Sequence, residues 1–444
     1  MNLVYGIKDK PKFGQVIVFA IQQLLAIMAA TIAVPSIIGN GMSQTAALFG
    51  AGVGTIVYLL FTRFRSPVFL GSSFAFIGSM LTAFAGAASM QVGYLGLIIG
   101  AIFAGLVYVV IAIVVKCVGV NWINKLMPAV VIGPTVAIIG LSLAGNAVGD
   151  LFTCPAGGSS YVGLICGLVT LGVTMVCSVF GKKMVKMIPF ILGILAGYIV
   201  ALIFTLIGRA SGNAALMVIN FDLFKTMQWV PDFTFITAFK GFGEITGSYV
   251  ATVIVAYVPV AFVVFAEHIA DHKNLSSIIG SDLLENPGLH NTLLGDGIGS
   301  MAGALFGGCP NTTYGESVGC VAISGNASVV TILATAVIAI VISFVGPFAT
   351  FLATIPNCVM GGVCVALYGF IAVSGLKMIQ QVDLNDNHNL FVVSVILIAG
   401  IGGMTVSFGA VTITEVACAL ILGILTNTLL GGNKEKETAG NNQN

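Results

Sequence analysis

Charge is what this chain has least of. Asp, Glu, Lys and Arg make up 7% of its 444 residues, against 58% hydrophobic, and mean hydropathy is +1.08. So few charges cannot cover the surface of a water-soluble protein of this length. Those present nearly cancel, at +1, which leaves no electrostatic footprint for nucleic acid or an acidic partner. The nine cysteines form no C-x-x-C pair. Cys117, Cys166, Cys177, Cys358, Cys364 and Cys418 sit inside apolar stretches and read as small packing residues, which excludes a disulfide framework. P-loop and Rossmann fingerprints are missing, so an intramembrane enzyme has little support. His268 and His272 have a metal-ligand spacing, but no other His or Cys lies nearby to complete a tetrahedral site. No metal and no cofactor are expected. No cleavable signal peptide is read either, because the first residues are polar and basic and the first apolar run reads as a membrane helix.

Long apolar runs take the place of charge. Tyr94 to Val115 and Val329 to Phe351 are each long enough to cross a bilayer. The fold class expected is an all-α polytopic membrane protein, and 56 glycines suit closely packed and broken helices. Spans fall near 15–38, 45–62, 67–87, 93–116, 123–147, 160–180, 187–208, 248–272, 288–307, 310–326, 328–352, 356–376, 389–406 and 412–431. With the N-terminus inside, one side of the membrane carries Lys8, Lys10, Lys12, Arg63, Arg65, Lys116, Lys125, Lys182, Lys183, Lys186, Lys273, Lys377, Lys434 and Lys436. The other side carries Arg209, Lys225 and Lys240. That asymmetry fits the positive-inside rule with both termini cytoplasmic.

The chain also repeats itself. Met127-Pro-Ala-Val-Val-Ile-Gly133 and Ile355-Pro-Asn-Cys-Val-Met-Gly361 open the fifth and twelfth spans, which run in opposite directions. Seven spans in each half make the repeats inverted. The first repeat covers 1–208, an extracellular connector 209–247, the second repeat 248–432, and a polar tail 433–444, expected to be disordered and cytoplasmic.

Two glycine-rich stretches interrupt the apolar pattern at matching places in the two halves, Pro67 to Phe76 and Pro310 to Gly319. Paired breaks of this kind point to a transporter's midplane binding site. An unwound stretch exposes backbone N–H groups, and the half-helix that follows directs its positive end into the cavity. Ionisable side chains inside spans each need a reason. Glu267 and Glu316 are the strongest candidates for function, beside a bland reading as helix–helix hydrogen bonds. Asp271 shares a helix face with Glu267, yet reads equally well as a solvated end charge. Asp296, in Gly-Asp-Gly, reads as a helix contact or a backbone cap. Carboxylates accept from N–H donors, backbone N–H groups suit carbonyls, and Phe74, Tyr314 and Tyr368 could stack on a flat ring or simply pack. A nucleobase presents that combination.

These residues carry a resemblance over nearly the whole chain. Leu70-Gly-Ser-Ser-Phe-Ala-Phe76, Ala266-Glu-His268, Asn286-Pro-Gly-Leu-His290, Pro310-Asn-Thr-Thr-Tyr-Gly-Glu316 and Val359-Met-Gly-Gly362 resemble the nucleobase–ascorbate transporter family, and within it the bacterial uracil permeases. The resemblance implies fourteen spans in two inverted repeats, a core domain at about 15–116 and 248–352, and a gate domain at about 123–208 and 356–431. It also implies short antiparallel strands in spans three and ten that meet at the substrate. Glu267 and Glu316 would accept N–H bonds from uracil, and backbone N–H groups of Phe74 and Gly315 would hold its carbonyls. Ala30, Tyr314 and Tyr368 would line the pocket, and coupling would be to a proton, in a bacterial inner membrane. A homodimer is one candidate assembly. The family's Asn after the second glutamate is Ser317 here, and its histidine in the first span is Gln23. Its histidine four after the first glutamate is Asp271, with His272 one place on. Proton coupling is therefore expected among Glu267, Asp271 and His272. A carboxylate withdrawn from water holds its proton more tightly, so proton uptake and substrate binding can be linked on one group. A xanthine or other purine carrier is the rival within the family. An anion carrier of the sulfate or bicarbonate type is the rival within the fold, and two acidic groups argue against it.

Overall fold

Backbone polar groups in an apolar chain must find partners within the protein, and helices do this locally. The computed structural model describes residues 3–119, 128–154, 156–182, 185, 188–227, 229–408 and 411–441. The first half holds α1 (Phe13–Ile38), α2 (Gln44–Phe61), β1 (Leu70–Ser72), α3 (Ile77–Ala85), α4 (Met90–Val118), α5 (Ala129–Ser142), α6 (Ala144–Leu151), α7 (Ser160–Phe180) and α8 (Pro189–Ser211). A short helix in the connector, α9 (Thr234–Ala238), leads to α10 (Gly247–Ile279), α11 (Leu289–Gly307), β2 (Asn311–Thr313), α12 (Gly315–Ser324), α13 (Val329–Ile342) and α14 (Gly346–Ala353). The chain closes with α15 (Asn357–Ile379), α16 (Asn387–Ile401), a hairpin of β3 (Val406–Phe408) and β4 (Val411–Ile413), and α17 (Glu415–Asn441). Among the described residues eight helices are long and apolar enough to cross a membrane. Three shorter apolar helices, Phe74–Ala85, Asn387–Ile401 and Glu415–Leu430, accompany them.

Side chains close the open N–H groups at several helix starts. Ser43 accepts from the Ala46 N–H, Ser89 from Val92 and Thr246 from Tyr249, each the N-cap arrangement that hydroxyls favour. The helices pack in two groups. In one, α11 lies between α2 and α4, with α13 on α2, α1 on α13 and α10 on α4. In the other, α15 joins α5, α6 and α7, α8 packs on α7, and α16 packs on α5 and α17. Contacts of α1 with α8 and α15, and of α10 with α5 and α17, connect the groups. Within the first group the helices nearly touch backbone to backbone. A Cβ on Gly54 would lie 2.7 Å from the Gly299 carbonyl oxygen.

The two glycine-rich breaks come together as a two-stranded antiparallel sheet. Leu70 pairs with Thr313, Gly71 with Thr312 and Ser72 with Asn311, and the Ser73 N–H extends the ladder to the Pro310 carbonyl at 2.9 Å. Side chains of the neighbouring helices brace it. Thr55 Oγ1 accepts from the Leu70 N–H at 2.9 Å, and Asn311 Nδ2 donates to the Gly50 carbonyl at 3.0 Å. A further backbone contact ties down the start of the chain. The N–H groups of Val4 and Tyr5 donate to the Gly325 carbonyl, and those of Ala327 and Val329 donate to Tyr5 and Ile7. Residues 4–7 thus lie along the link between α12 and α13.

Three local expectations change. The span expected at 328–352 is two helices meeting at 85°, because Pro347 cannot donate to the preceding turn and its ring crowds the carbonyl four residues back. The tail expected to be disordered after Gly432 continues α17 to Asn441. Extending an existing helix needs no new nucleus, and Lys434, Glu435, Lys436 and Glu437 are good helix formers. The fifth span runs on through α6 to Leu151. Its expected start at 123–127, Met127 of the repeat, and the charges Lys125, Lys183 and Lys186 lie outside the described residues.

The glycine contacts generate a stability prediction. Gly54→Leu pushes a side chain into the Gly299 backbone, and such overpacking costs about 1–3 kcal/mol. Its thermal unfolding midpoint in detergent should drop clearly, while Gly172→Ala, where a Cβ meets nothing within 4 Å, should leave the midpoint in place. Equal midpoints would mean that α2 and α11 are free to part.

Candidate functional site

β1 and β2 end at the same place, so the helical segments that follow start side by side. Phe74 is the first residue of the turn leading into α3, and Gly315 is the first residue of α12. A first helical residue has no intrahelical acceptor for its N–H, so two helix N-termini face one space. Tyr314 holds the junction by donating its hydroxyl hydrogen to the Ser72 carbonyl at 2.7 Å. Its ring lies flat on Gly71, where any Cβ would collide with it. Only glycine permits that approach.

A cavity of about 420 Å³ opens at this junction. The breaks contribute Ser73, Phe74, Thr312, Thr313, Tyr314, Gly315 and Glu316, and α10 contributes Glu267 and Asp271. The far wall is largely apolar and comes from the second group of helices, with Val136, Ile139, Phe190, Leu367 and Ile371, and Ser374 as its polar member. Volume and lining are those of a small-molecule site, apolar with a few convergent polar groups. Donors and acceptors meet there: backbone N–H groups at the helix starts, and the carboxyl groups of Glu267, Asp271 and Glu316.

Five expected residues, Glu267, Glu316, Phe74, Gly315 and Tyr314, meet at this cavity. Asp271 is there too. The wall, and not the wet end of the span, is its place, with Oδ2 accepting from Thr313 Oγ1 at 2.9 Å. A Cβ on Gly315 would lie 3.8 Å from Asp271 Oδ1, so this carboxyl sits beside the positive end of α12, a favourable position for negative charge. Two expected lining residues stand elsewhere. Ala30 is buried in the packed interface of α1 with Ile27, Leu70 and Tyr314, since its methyl is covered by the break itself. Tyr368 is buried, and meets the site only through an edge-on contact with the Phe74 ring at 6.0 Å. Its neighbours Leu367 and Ile371 take the cavity wall instead.

His272 turns away from the cavity. Its Nδ1 donates to the His268 carbonyl at 2.8 Å, and its Nε2 lies 2.7 Å from the Tyr58 hydroxyl. A carbonyl only accepts, so Nδ1 carries a hydrogen, while Tyr58 directs its own hydroxyl hydrogen to Ser66 Oγ at 2.7 Å. One pairing escaped the sequence. His268 Nδ1 lies 2.7 Å from Asp296 Oδ2, with both side chains fully buried. The paired residues stand on different helices, and the only sign in the sequence was a charge placed between two glycines.

A model of the xanthine–uracil Permease family matches residues 14–408. The chain belongs to that family. The uracil permease of Bacillus caldolyticus is 40% identical over 432 residues, covering 97% of this chain and 95% of the relative. The uracil permease of Escherichia coli (strain K12) is 35% identical over 424 residues, covering 94% and 92%. Among solved structures, the transmembrane domain of a cyanobacterium bicarbonate transporter, BicA, superposes with a TM-score of 0.67 at 17% identity, over 95% of this chain and 99% of that one. A murine Solute Carrier 26 family member A9 anion transporter in the inward-facing state gives 0.66 at 13%, over 96% and 69%. At such identities the likeness concerns the fold alone. The permease is a multi-pass membrane protein, and a transporter where an enzyme would need a reactive centre.

Two of the positions at which the permease departs from the motifs it resembles, Gln23 and Ser317, meet in space. Gln23 Nε2 donates to Ser317 Oγ at 2.6 Å, and the Phe69 N–H donates to the same oxygen at 3.0 Å. One hydroxyl thus ties α1 and the entry to β1 to the first turn of α12. Ser317→Ala should leave the buried Phe69 N–H without an acceptor, at a cost of about 1–3 kcal/mol. Thermal unfolding of the purified permease should show it, and an unaltered midpoint would remove Ser317 from the brace.

Proposed function

We propose that the permease imports uracil, or a closely related nucleobase, by proton symport through the cavity between the two helix groups. The observation that carries this reading is the meeting of helix-start N–H groups and carboxyl groups at one cavity. Glu267 and Glu316 accept the ring N–H groups of uracil, the N–H groups of Phe74 and Gly315 hold its carbonyls, and Tyr314 and Phe74 bound the ring plane. The relatives named as uracil permeases support the choice of base over xanthine. The bicarbonate-type alternative shares the fold, but carboxylates from Glu267, Asp271 and Glu316 would repel an anion.

The coupling proton belongs to Glu267 and Asp271 on this reading, with His272 behind them through the α10 backbone and Tyr58. Substrate release and proton release are then linked, because an unpaired buried carboxylate is costly. The two helix groups act as core and gate domains of two inverted seven-span repeats in a bacterial inner membrane, with both termini cytoplasmic. In that orientation the cavity reaches Phe190 and Met378 near the cytoplasmic ends of α8 and α15, and the site faces inward. The gate slides or rocks against the core to expose it to the other side.

One uptake assay tests the function. Labelled uracil should enter vesicles under an inside-alkaline gradient, independently of sodium. Excess unlabelled uracil should suppress it, while xanthine, ascorbate and sulfate should not. Glu267→Gln replaces an acceptor by a mixed group and should weaken uracil binding by roughly 1–3 kcal/mol. Full binding by that variant, or competition by sulfate, would overturn the assignment. Topology has its own check. Single cysteines at Lys12 and Lys434 should both be labelled only from the cytoplasmic face, and external labelling of one of them would make the span count odd.

A further inference from the structure

Behind the cavity wall lies a second set of polar groups that the uracil site does not touch. His268 follows Glu267 on α10, yet it faces α11 and is fully buried, as are Asp296 and Thr292. Nδ1 of His268 lies 2.7 Å from Asp296 Oδ2, and Nε2 lies 3.0 Å from Thr292 Oγ1. Thr292 Oγ1 is also 3.0 Å from the Leu289 carbonyl, which can only accept.

Counting hydrogens on these contacts leaves two arrangements. In the first, Thr292 donates to Leu289, Nε2–H donates to Thr292, and a further proton fills the gap between Nδ1 and Oδ2. In the second, Thr292 turns its hydrogen to Nε2, Nδ1–H donates to an Asp296 carboxylate, and the group holds one proton fewer. Loss of one proton, together with a rotation of the Thr292 hydroxyl, separates the two. The first is net neutral. The second leaves a net negative charge in a dry three-helix junction, with Asp296 Oδ1 lacking any hydrogen-bond partner among the described residues. Such a charge is costly unless something compensates it.

We infer that Asp296, His268 and Thr292 form a second proton site of the transport cycle, whose occupancy sets how α10, and with it Glu267, fits against α11. This rests on the proton-coupled uracil reading above. Every neighbouring element presents a group that would sense the change. On α10, the His272 ring stacks on His268 at 4.0 Å, with Glu267 and Asp271 one face away in the cavity. On α2, Tyr58 bonds to His272. On α4, the Tyr108 ring lies 6.5 Å from His268, and its buried hydroxyl has no partner among the described residues. On α12, Glu316 lines the same cavity as Glu267. The junction has little slack, since a Cβ on Gly297 would lie 2.8 Å from the Gly105 carbonyl of α4. Altered hydrogen bonding at Asp296 must therefore move α10 and cannot be absorbed by α4. His268 and Asp296 are positioning residues here, acting on substrate through Glu267.

The test uses the purified full-length permease in proteoliposomes, comparing wild type, Asp296→Asn, Asp296→Glu and Thr292→Val. Three readouts are taken: uracil affinity by calorimetry, uracil–uracil exchange without net proton movement, and uptake driven by an inside-alkaline gradient across a pH series. Asp296→Asn should keep affinity and exchange within about threefold while gradient-driven uptake drops about tenfold, inside the usual range of coupling between two sites. Asp296→Glu should restore part of the driven uptake, and Thr292→Val should move the pH at which driven uptake is half-maximal. An Asp296→Asn permease with wild-type driven uptake at every pH would falsify the proposal. So would loss of affinity, exchange and driven uptake together with no rescue by Asp296→Glu, which marks a strut. Failure of the wider reading looks different, because wild type itself would then ignore the proton gradient.

Discussion

The pairing of β1 with β2 is the constraint on which everything else in the permease hangs. A chain that leaves the helical path inside a membrane exposes peptide groups that lipid cannot satisfy. Two breaks facing each other satisfy those groups reciprocally, Leu70 with Thr313 through Ser72 with Asn311. Neither break is tolerable alone. Their meeting also decides where the half-helices start, and so where unsatisfied N–H groups point. The cavity is a by-product of solving a hydrogen-bond problem where the two breaks meet.

The electrostatics of the cavity follow from that geometry. Two helix starts supply positive ends, and the acidic side chains opposite supply negative ones, of which Asp271 is also anchored by Thr313. The balance favours a neutral guest with both donors and acceptors over an ion of either sign. The far wall, contributed by the other helix group, is largely apolar, with Ser374 as its polar residue. Tight binding on one side and loose contact on the other is what a moving carrier requires.

Much of this was legible in the residues because breaks, prolines and isolated carboxylates are local signals. Pro67 and Pro310 announced the interruptions, and Glu267 and Glu316 could be singled out by their rarity alone. What stayed hidden depends on depth and rotation. Asp271 read as well as a wet end charge as a wall residue, since helical spacing fixes a face but not a depth. Ala30 and Tyr368, taken from motif resemblance, sit one layer back from the cavity, a displacement no motif encodes. His268 and Asp296 lie on separate helices, and only the packing of α10 on α11 brings them to 2.7 Å. The bend at Pro347 was visible in principle, yet the apolar run across it masked the break.

The strand pairing also has a consequence for how the permease is made. Leu70 emerges early in synthesis, and its partner Thr313 is made only after the rest of the first half and the opening helices of the second. At about 5–20 residues per second, the first break waits for roughly 10–50 s with its peptide groups unanswered by the chain. During that interval the nascent protein holds an open backbone edge at the depth of the membrane, which the insertion machinery, water or a neighbouring helix has to shelter. The early residues that fasten to Gly325 and Ala327 wait longer still. The permease is therefore assembled by late closure, and its most exposed moment comes before its second half exists.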